Sequence, residues 1–333
     1  MSDWPVRGPR CYVRQSVPNA DVNPFLAGKQ RPIVVGHRGV PALHQENTLA
    51  GFRRAVELGV PAVELDVRLT RDRRAVVLHD AELERLTGAR GNVLDLTWDQ
   101  LSRLRIQRVL PMGIDVHGAQ VIARYDREEP IPLLAEVLAE VAGKVAINVE
   151  LKLDLPTWWQ VEVGAVAASV IAEARAEHRV IVTSFDPRKL RAARRAGPDL
   201  ALAFCFDDSM LDFARGVLDR LPAFAGELAL ADRRPGHNAR HVLSRILDSD
   251  LVGRLIATRA VGAEHTLLGP QTVQRLRRQG VAIGTHTLFP LGSTTGKPIA
   301  TSAATAAEAA RLVALGVDWI ETDDPERLMT LIY

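Results

Sequence analysis

The sequence predicts an α/β protein, a closed parallel barrel of eight strand–helix units. Three observations predict it. Short apolar runs recur along the chain and are apolar on both faces, as strands covered on both sides must be. Segments with helical spacing and helix start and stop signals lie between them. The units number about eight, and no Gly-x-Gly-x-x-Gly follows the first strand, which favours a ring over an open dinucleotide-binding sheet. The 333 residues, 47% of them hydrophobic, suffice for one such (β/α)8 TIM barrel.

Residues 1–31 are rich in Pro, Asn, Gly and Arg, lack periodicity and read as an irregular N-terminal arm. The barrel domain is expected over 32–333. Ile33-Val34-Val35-Gly36 is the first strand. Thr48 to Leu58 carries Leu49, Phe52 and Val56 on one face and ends at Gly59, as a helix should. Ala62 to Val67 is the second strand, and Ala75 to Leu78 reads as an extension paired with it. Leu133 to Val141 is helical, Val145 to Glu150 is the third strand, and a helix of good formers runs from about Trp158 to Ala176. Val180 to Ser184 is a strand, and Pro187 opens the helix that runs to Ala196. Leu200 to Phe204 is the fifth strand. Asp207 to Arg254 is less regular and reads as an enlarged connection, not a separate domain. The last three units pair Ala260–Glu264 with Pro270–Gln279, Val281–Gly284 with Ala303–Leu315, and Val317–Glu321 with Pro325–Leu331.

The net charge of +2 is nearly balanced, and only five of the 42 basic residues are lysine. The arginines are dispersed among acids, so no nucleic-acid face is expected. Cys11 and Cys205 form no disulfide framework, which points to a reducing cytoplasm. No signal peptide and no membrane span are expected: the most apolar stretch, Val163 to Ala172, is too short to span and is flanked by Glu162 and Glu173.

In such a barrel the active site lies at the C-terminal ends of the strands. His37 and Arg38 sit at the first strand exit. Glu64 and Asp66 are two apart on the second strand and so face the same way. Two carboxylates buried in an apolar strand need compensation, either from a bound cation or from arginines on the rim. Glu150 ends the third strand and adds a third carboxylate, with Lys152 two residues on. No His or Cys cluster has zinc-ligand spacing, so an oxygen-rich site for magnesium or calcium is expected. His79 ends the Ala75–Leu78 run; it either makes a structural hydrogen bond or shares a rim with His37 and moves protons. An arginine can neutralise a phosphate, so the set suits cleavage of a phosphate ester.

These residues also carry a resemblance. His37-Arg38-Gly39, Glu46-Asn47-Thr48, Glu64-Leu65-Asp66-Val67, Leu78-His79-Asp80, Glu150-Leu151-Lys152 and Thr322-Asp323-Asp324-Pro325 occur in the order seen in glycerophosphodiester phosphodiesterases. The chain resembles that family over about residues 32 to 331. The resemblance implies a TIM barrel that hydrolyses glycerophosphodiesters to an alcohol and glycerol 3-phosphate. It implies a divalent metal on Glu64, Asp66 and Glu150, an acid–base pair of His37 and His79, and phosphate binding by Arg38. It also implies a small inserted segment after the second strand, here about 81–127. Lys152 either contacts phosphate or pairs with Glu150. Glu46 either ligates the metal or supports the residues that do. Where the family often has a Trp-containing motif after the seventh strand, this chain has Gly284-Thr285-His286-Thr287 and a loop containing Gly292-Ser293-Thr294-Thr295-Gly296. His286 either replaces the aromatic contact or is a rim histidine on a mobile loop.

The substrate expected is a small glycerophosphodiester. A lysophospholipase D or sphingomyelinase D-like enzyme would run the same chemistry on a lipid. The adjacent Trp158 and Trp159 would then contact an acyl chain or membrane; otherwise they start a helix and pack on the barrel. A lyase using Lys152 as a Schiff base and a non-catalytic phosphate-binding barrel are the other classes considered.

Overall fold

The computed structural model describes residues 23–28, 30–153, 160–207, 246–248, 250–293 and 301–333. Trp158, Trp159, Cys11, Thr294 to Gly296 and most of the enlarged connection lie outside them.

Eight strands close into a parallel barrel: β1 (Ile33–Gly36), β2 (Ala62–Leu69), β8 (Ala146–Leu151), β9 (Val180–Ser184), β10 (Ala201–Phe206), β11 (Ala260–Glu264), β12 (Ala282–Leu288) and β13 (Trp319–Thr322). The ring closes because β1 pairs with both β13 and β2. β3 (Ala75–Val77) pairs antiparallel with the end of β2, as its apolar run suggested. The helices between strands include α1 (Leu49–Glu57), α4 (Leu134–Val141), α5 (Glu162–Glu173) and α6 (Pro187–Ala196), then α7 (Leu251–Ile256), α8 (Pro270–Arg278), α9 (Ala306–Leu315) and α10 (Pro325–Ile332). Their starts are written in the sequence. Thr48 caps α1 by accepting from the Gly51 amide, and Asp186 and Asp324 cap α6 and α10, each followed by a proline.

Strand alternation sorts the core into two shells. One phase, including Val63, Leu65, Ile147, Val149, Val182, Leu202, Val261, Ile283 and Ile320, packs under the helices. The other phase points into the barrel: Ile33, Val35, Ala62, Ala146, Ile181, Ala203, Ala260, Ala282 and Trp319. Most of these inner residues are small, and the space is taken by two rings, Phe25 and Trp319, which meet edge-to-face with centroids 5.5 Å apart. A Cβ on Gly284 would collide with the Trp319 indole at 1.7 Å, so this seventh-strand glycine is what admits the tryptophan. Phe25 is fully buried and comes from the end of the N-terminal arm, in a 3₁₀ turn whose Asn23 donates to the Val180 carbonyl.

The segment between β3 and α4 carries α2 (Glu84–Thr87), α3 (Trp98–Leu101) and two ribbons. β4 (Arg105–Ile106) pairs with β7 (Glu129–Pro130), and β5 (Val109–Ile114) with β6 (Gln120–Arg124). It has an apolar cluster of its own, with Leu78, Leu83, Leu86, Val93, Leu101, Ile106 and Leu110 fully buried. It is fastened to the β1–α1 loop: the Tyr125 hydroxyl donates to the Pro41 carbonyl and Gln45 Nε2 donates to the Arg127 carbonyl.

Candidate active site

Continuing the inward phase toward the C-terminal ends of the strands gives the polar residues of the mouth. Ala62 leads to Glu64 and Asp66, Ala146 to Asn148 and Glu150, and Trp319 to Glu321 and Asp323. Register places Glu64 beside Asn148 and Asp66 beside Glu150. Glu64, Asp66 and Glu150 each offer an oxygen within 4.8 Å of the others. Burial, then the charges of Asp66, Glu321 and Glu150, push the Glu64 carboxyl well above the usual carboxylate range. Burial would raise Asp66 too, but the charges of Lys152 and Arg38, with the His79 ring beside them, outweigh it and hold that carboxyl well below its usual value. Among the described residues, Glu64 Oε1 is buried without a hydrogen-bond partner, while Asp66 Oδ1 and Glu150 Oε1 are buried beside the Lys152 ammonium alone. Three clustered hard oxygens with crowded negative charge fit a hard divalent cation.

Two cations flank the trio. Lys152 Nζ lies 2.8 Å from Glu150 Oε1 and 3.2 Å from Asp66 Oδ1, so it pairs with Glu150 and with a second carboxylate. Its backbone carbonyl accepts from the buried Lys189 ammonium. Arg38 has a left-handed backbone at φ 54° in the Gly36–Gly39 turn. A Cβ on Gly36 would sit 2.2 Å from the Gly39 carbonyl oxygen, so glycine is required there. The turn lets the Arg38 amide donate to Glu64 Oε2 at 2.8 Å while its guanidinium reaches Glu46 at 2.9 Å and lies 3.3 Å from Asp66. Asn47, also left-handed at φ 58°, does not cap α1; its Nδ2 donates to Asp66 Oδ2 at 2.7 Å and its Oδ1 accepts from the Asp66 amide.

Each histidine is held by a carboxylate. His37 Nδ1 lies 2.6 Å from Asp323 Oδ1, and its Nε2 lies 4.0 Å from Glu64 Oε2. The other Asp323 oxygen accepts from the Leu291 amide at 2.7 Å. His79 Nδ1 lies 2.5 Å from Asp80 Oδ1. A carboxylate only accepts, so each ring donates through Nδ1 and presents Nε2. Burial, with Arg38 and Lys152 adding to it, lowers the His79 pKa to about 4. Glu46 is fully buried between Arg38 and Arg85; burial would raise its pKa, yet the two guanidiniums bring it down to about 2.

His286 is not on a loop. β12 runs on to Leu288, three residues or more past its apolar stretch, and His286 lies in register with Glu264. Its ring packs edge-to-face on Phe185 at 5.9 Å, and burial lowers its pKa to about 4. Three successive polar residues, Thr285-His286-Thr287, hide the extension, since no apolar residue marks it until Leu288. Sequence reasoning named Asp80 and Asp323 within motifs but gave them no role, and it did not single out Arg85, Asn148 or Glu321 for the site. Asn148 and Glu321 occupy inward positions of strands already identified, and Asn148 Nδ2 donates to Glu321 Oε1 at 2.8 Å beneath the carboxylates.

The profile of the glycerophosphoryl diester phosphodiesterase family matches residues 37–327. The chain belongs to this family. Family membership makes it a phosphodiesterase. It is 32% identical over 183 residues to a glycerophosphodiester phosphodiesterase of Caldanaerobacter subterraneus, covering 55% of this chain and 70% of that one. It is 35% identical over 120 residues to a mouse lysophospholipase D, covering 36% of each. Among solved structures, a glycerophosphoryl diester phosphodiesterase from Silicibacter pomeroyi superposes with a TM-score of 0.65 at 24% identity, over 93% of this chain and 97% of that one. That likeness bears on the fold. Among the described residues, no helix is long and apolar enough to cross a membrane.

Proposed function

We propose that the protein hydrolyses glycerophosphodiesters to an alcohol and glycerol 3-phosphate with a divalent metal, magnesium or calcium, held by Glu64, Asp66 and Glu150. The carboxylate trio carries this reading: three carboxylates that each offer an oxygen within 4.8 Å of the others, with Glu64 Oε1 buried and, among the described residues, unpartnered, between an arginine and a lysine. Bound there, the metal supplies positive charge against a phosphate oxygen. Arg38 and Lys152 add theirs and orient the phosphodiester for attack. His37 takes the proton of the attacking water through Nε2 as the water oxygen bonds to phosphorus. His79, carrying a proton on each ring nitrogen once the phosphodiester's negative charge is bound, gives its Nε2 proton to the departing alcohol oxygen as that oxygen's bond to phosphorus breaks, and keeps Nδ1–H on Asp80. Asp323 holds His37 as the neutral ring with Nε2 free to accept, and Asp80 stabilises the protonated His79. Glu46 holds Arg38, and His286 with Phe185 forms a wall for the organic part of the substrate. The organic group is small in this reading. A lysophospholipid is a second reading, supported by the likeness to the mouse lysophospholipase D. A cytoplasmic site of action is the compartment proposed.

The test is hydrolysis of glycerophosphocholine by metal-stripped protein, with magnesium or calcium added back, beside His37→Ala. Activity that returns with metal and is lost in the variant is expected. Activity without metal would remove the carboxylate assignment. Turnover of lysophosphatidylcholine with none of glycerophosphocholine would select the lipid reading.

A further inference from the structure

Arg85 belongs to none of the metal, phosphate or proton-transfer groups, yet it stands at the centre of the charges that orient them. Its guanidinium donates to both oxygens of Glu46, at 2.8 and 2.7 Å, and through Nε to Asp80 Oδ2. Glu46 Oε1 also accepts from Arg38 at 2.9 Å, and Asp80 Oδ1 holds His79 Nδ1 at 2.5 Å. Arg38, Glu46, Arg85 and Asp80 thus form one chain of alternating charge that ends on the His79 ring. The planar fork of an arginine is the side chain that can satisfy one carboxylate bidentately and a second through Nε. The Arg85 side chain is only 15% exposed and Glu46 is fully buried, so this pairing is little screened by water.

Arg85 enters from the inserted segment. It lies on α2, between Leu83 and Leu86, both fully buried in that segment's own apolar cluster. The helix ends at Gly88 with φ 71°, and the Leu86 carbonyl accepts from the Gln107 amide of the next ribbon. The packing that builds the insertion therefore sets where the guanidinium points.

We propose that Arg85 is a positioning residue that makes the inserted segment part of the reaction, by holding Asp80 against His79 and sharing Glu46 with Arg38. This rests on the roles given above to His79 and Arg38. Without Arg85, Asp80 loses the partner that fixes its plane, so the His79 ring loses its aim at the leaving oxygen. Glu46 keeps only Arg38 and draws it from the phosphate.

The test is Arg85→Met beside Asp80→Asn and His79→Ala, on two substrates, with circular dichroism and metal titration on each variant. Glycerophosphocholine has an alkoxide leaving group that needs a proton. Bis(4-nitrophenyl) phosphate has a leaving group that does not. Folded Arg85→Met is expected to lose about 100-fold in kcat on the first, the scale of one positioned acid, and far less on the second. Its KM on both should rise, and Arg85→Met combined with Asp80→Asn should lose little more kcat than either alone. Equal kcat loss on both substrates in folded Arg85→Met, or none on either, would overturn the proposal while His79→Ala still discriminates. If His79→Ala fails to discriminate, the acid role of His79 falls first, and the link through Arg85 falls with it. If no Arg85→Met folds, Asp80→Asn carries the same leaving-group contrast, and its absence there would overturn the proposal.

Discussion

His37 and Asp323 meet across the seam where the first and last strands pair, with Nδ1 2.6 Å from Oδ1. They are 286 residues apart, and the contact exists only because the barrel closes. Asp323 fixes the tautomer that leaves His37 Nε2 facing Glu64. Asp323→Ala should lower kcat on glycerophosphocholine by about 100-fold with little change in KM, because the histidine stays but its basic nitrogen loses its orientation. Asp323→Asn keeps the shape and one acceptor and should lose less. Wild-type kcat in Asp323→Ala would show that the ring is held by other contacts.

Glu46 makes acid stability a readout of the charge chain. Its pKa falls from the ordinary 4.5 to about 2 on folding, because burial is outweighed by Arg38 and Arg85. The unfolded chain therefore binds the proton first. The stabilisation is present above about pH 4.5 and drains as pH falls through that value toward about 2. On the scale of 1.4 kcal/mol per unit it amounts to about 3 kcal/mol at neutral pH. Urea unfolding at pH 6 and pH 3 should show wild type losing about 2 kcal/mol more than Glu46→Gln, since the remainder drains only below pH 3. Parallel losses in the two proteins would count against a charged Glu46 in the folded state.

Phe25 lies under the barrel and is fully buried against Trp319. Phe25→Ala opens the barrel floor and should cost about 3–5 kcal/mol in chemical denaturation, the usual range for a buried phenylalanine. The floor is at the opposite end from the carboxylates, so kcat of the folded fraction should hold. A cost below about 1 kcal/mol would mean that the arm is dispensable to the core.

What the sequence revealed follows from periodicity. Ala62-Val63-Glu64-Leu65-Asp66 shows a strand and, in the same letters, two acids on its inner face, because side chains alternate. Glu150 is legible in the same way. Phe25 was not, since it sits in a 3₁₀ turn amid residues with no repeat, and only the barrel's small inner residues make room for its ring. Of the two readings of His286, the loop one fails because strand length was judged from apolar letters alone, whereas β12 continues through the polar Thr285-His286-Thr287 to Leu288. Arg85 was passed over for a different reason: it comes from an insertion whose packing has no local signature, and its partner Glu46 lies in the β1–α1 loop.

The trio Glu64, Asp66 and Glu150 predicts opposite effects of one substitution with and without metal. Metal-stripped protein holds three carboxylates within 4.8 Å, and burial with mutual repulsion already pushes Glu64 toward its protonated form. Glu64→Gln fixes that neutral state, and its amide oxygen can still accept from the Arg38 amide. The metal-stripped variant should therefore melt no lower than wild type, and higher if repulsion outweighs the attraction to Arg38. Wild type should gain about 2.7 kcal/mol when magnesium or calcium is present at a hundred times its Kd, seen as a Tm rise of several degrees. Glu64→Gln should lose most of that rise and the activity with it. A variant that melts lower than wild type without metal, yet rises as much with it, would place the cation elsewhere.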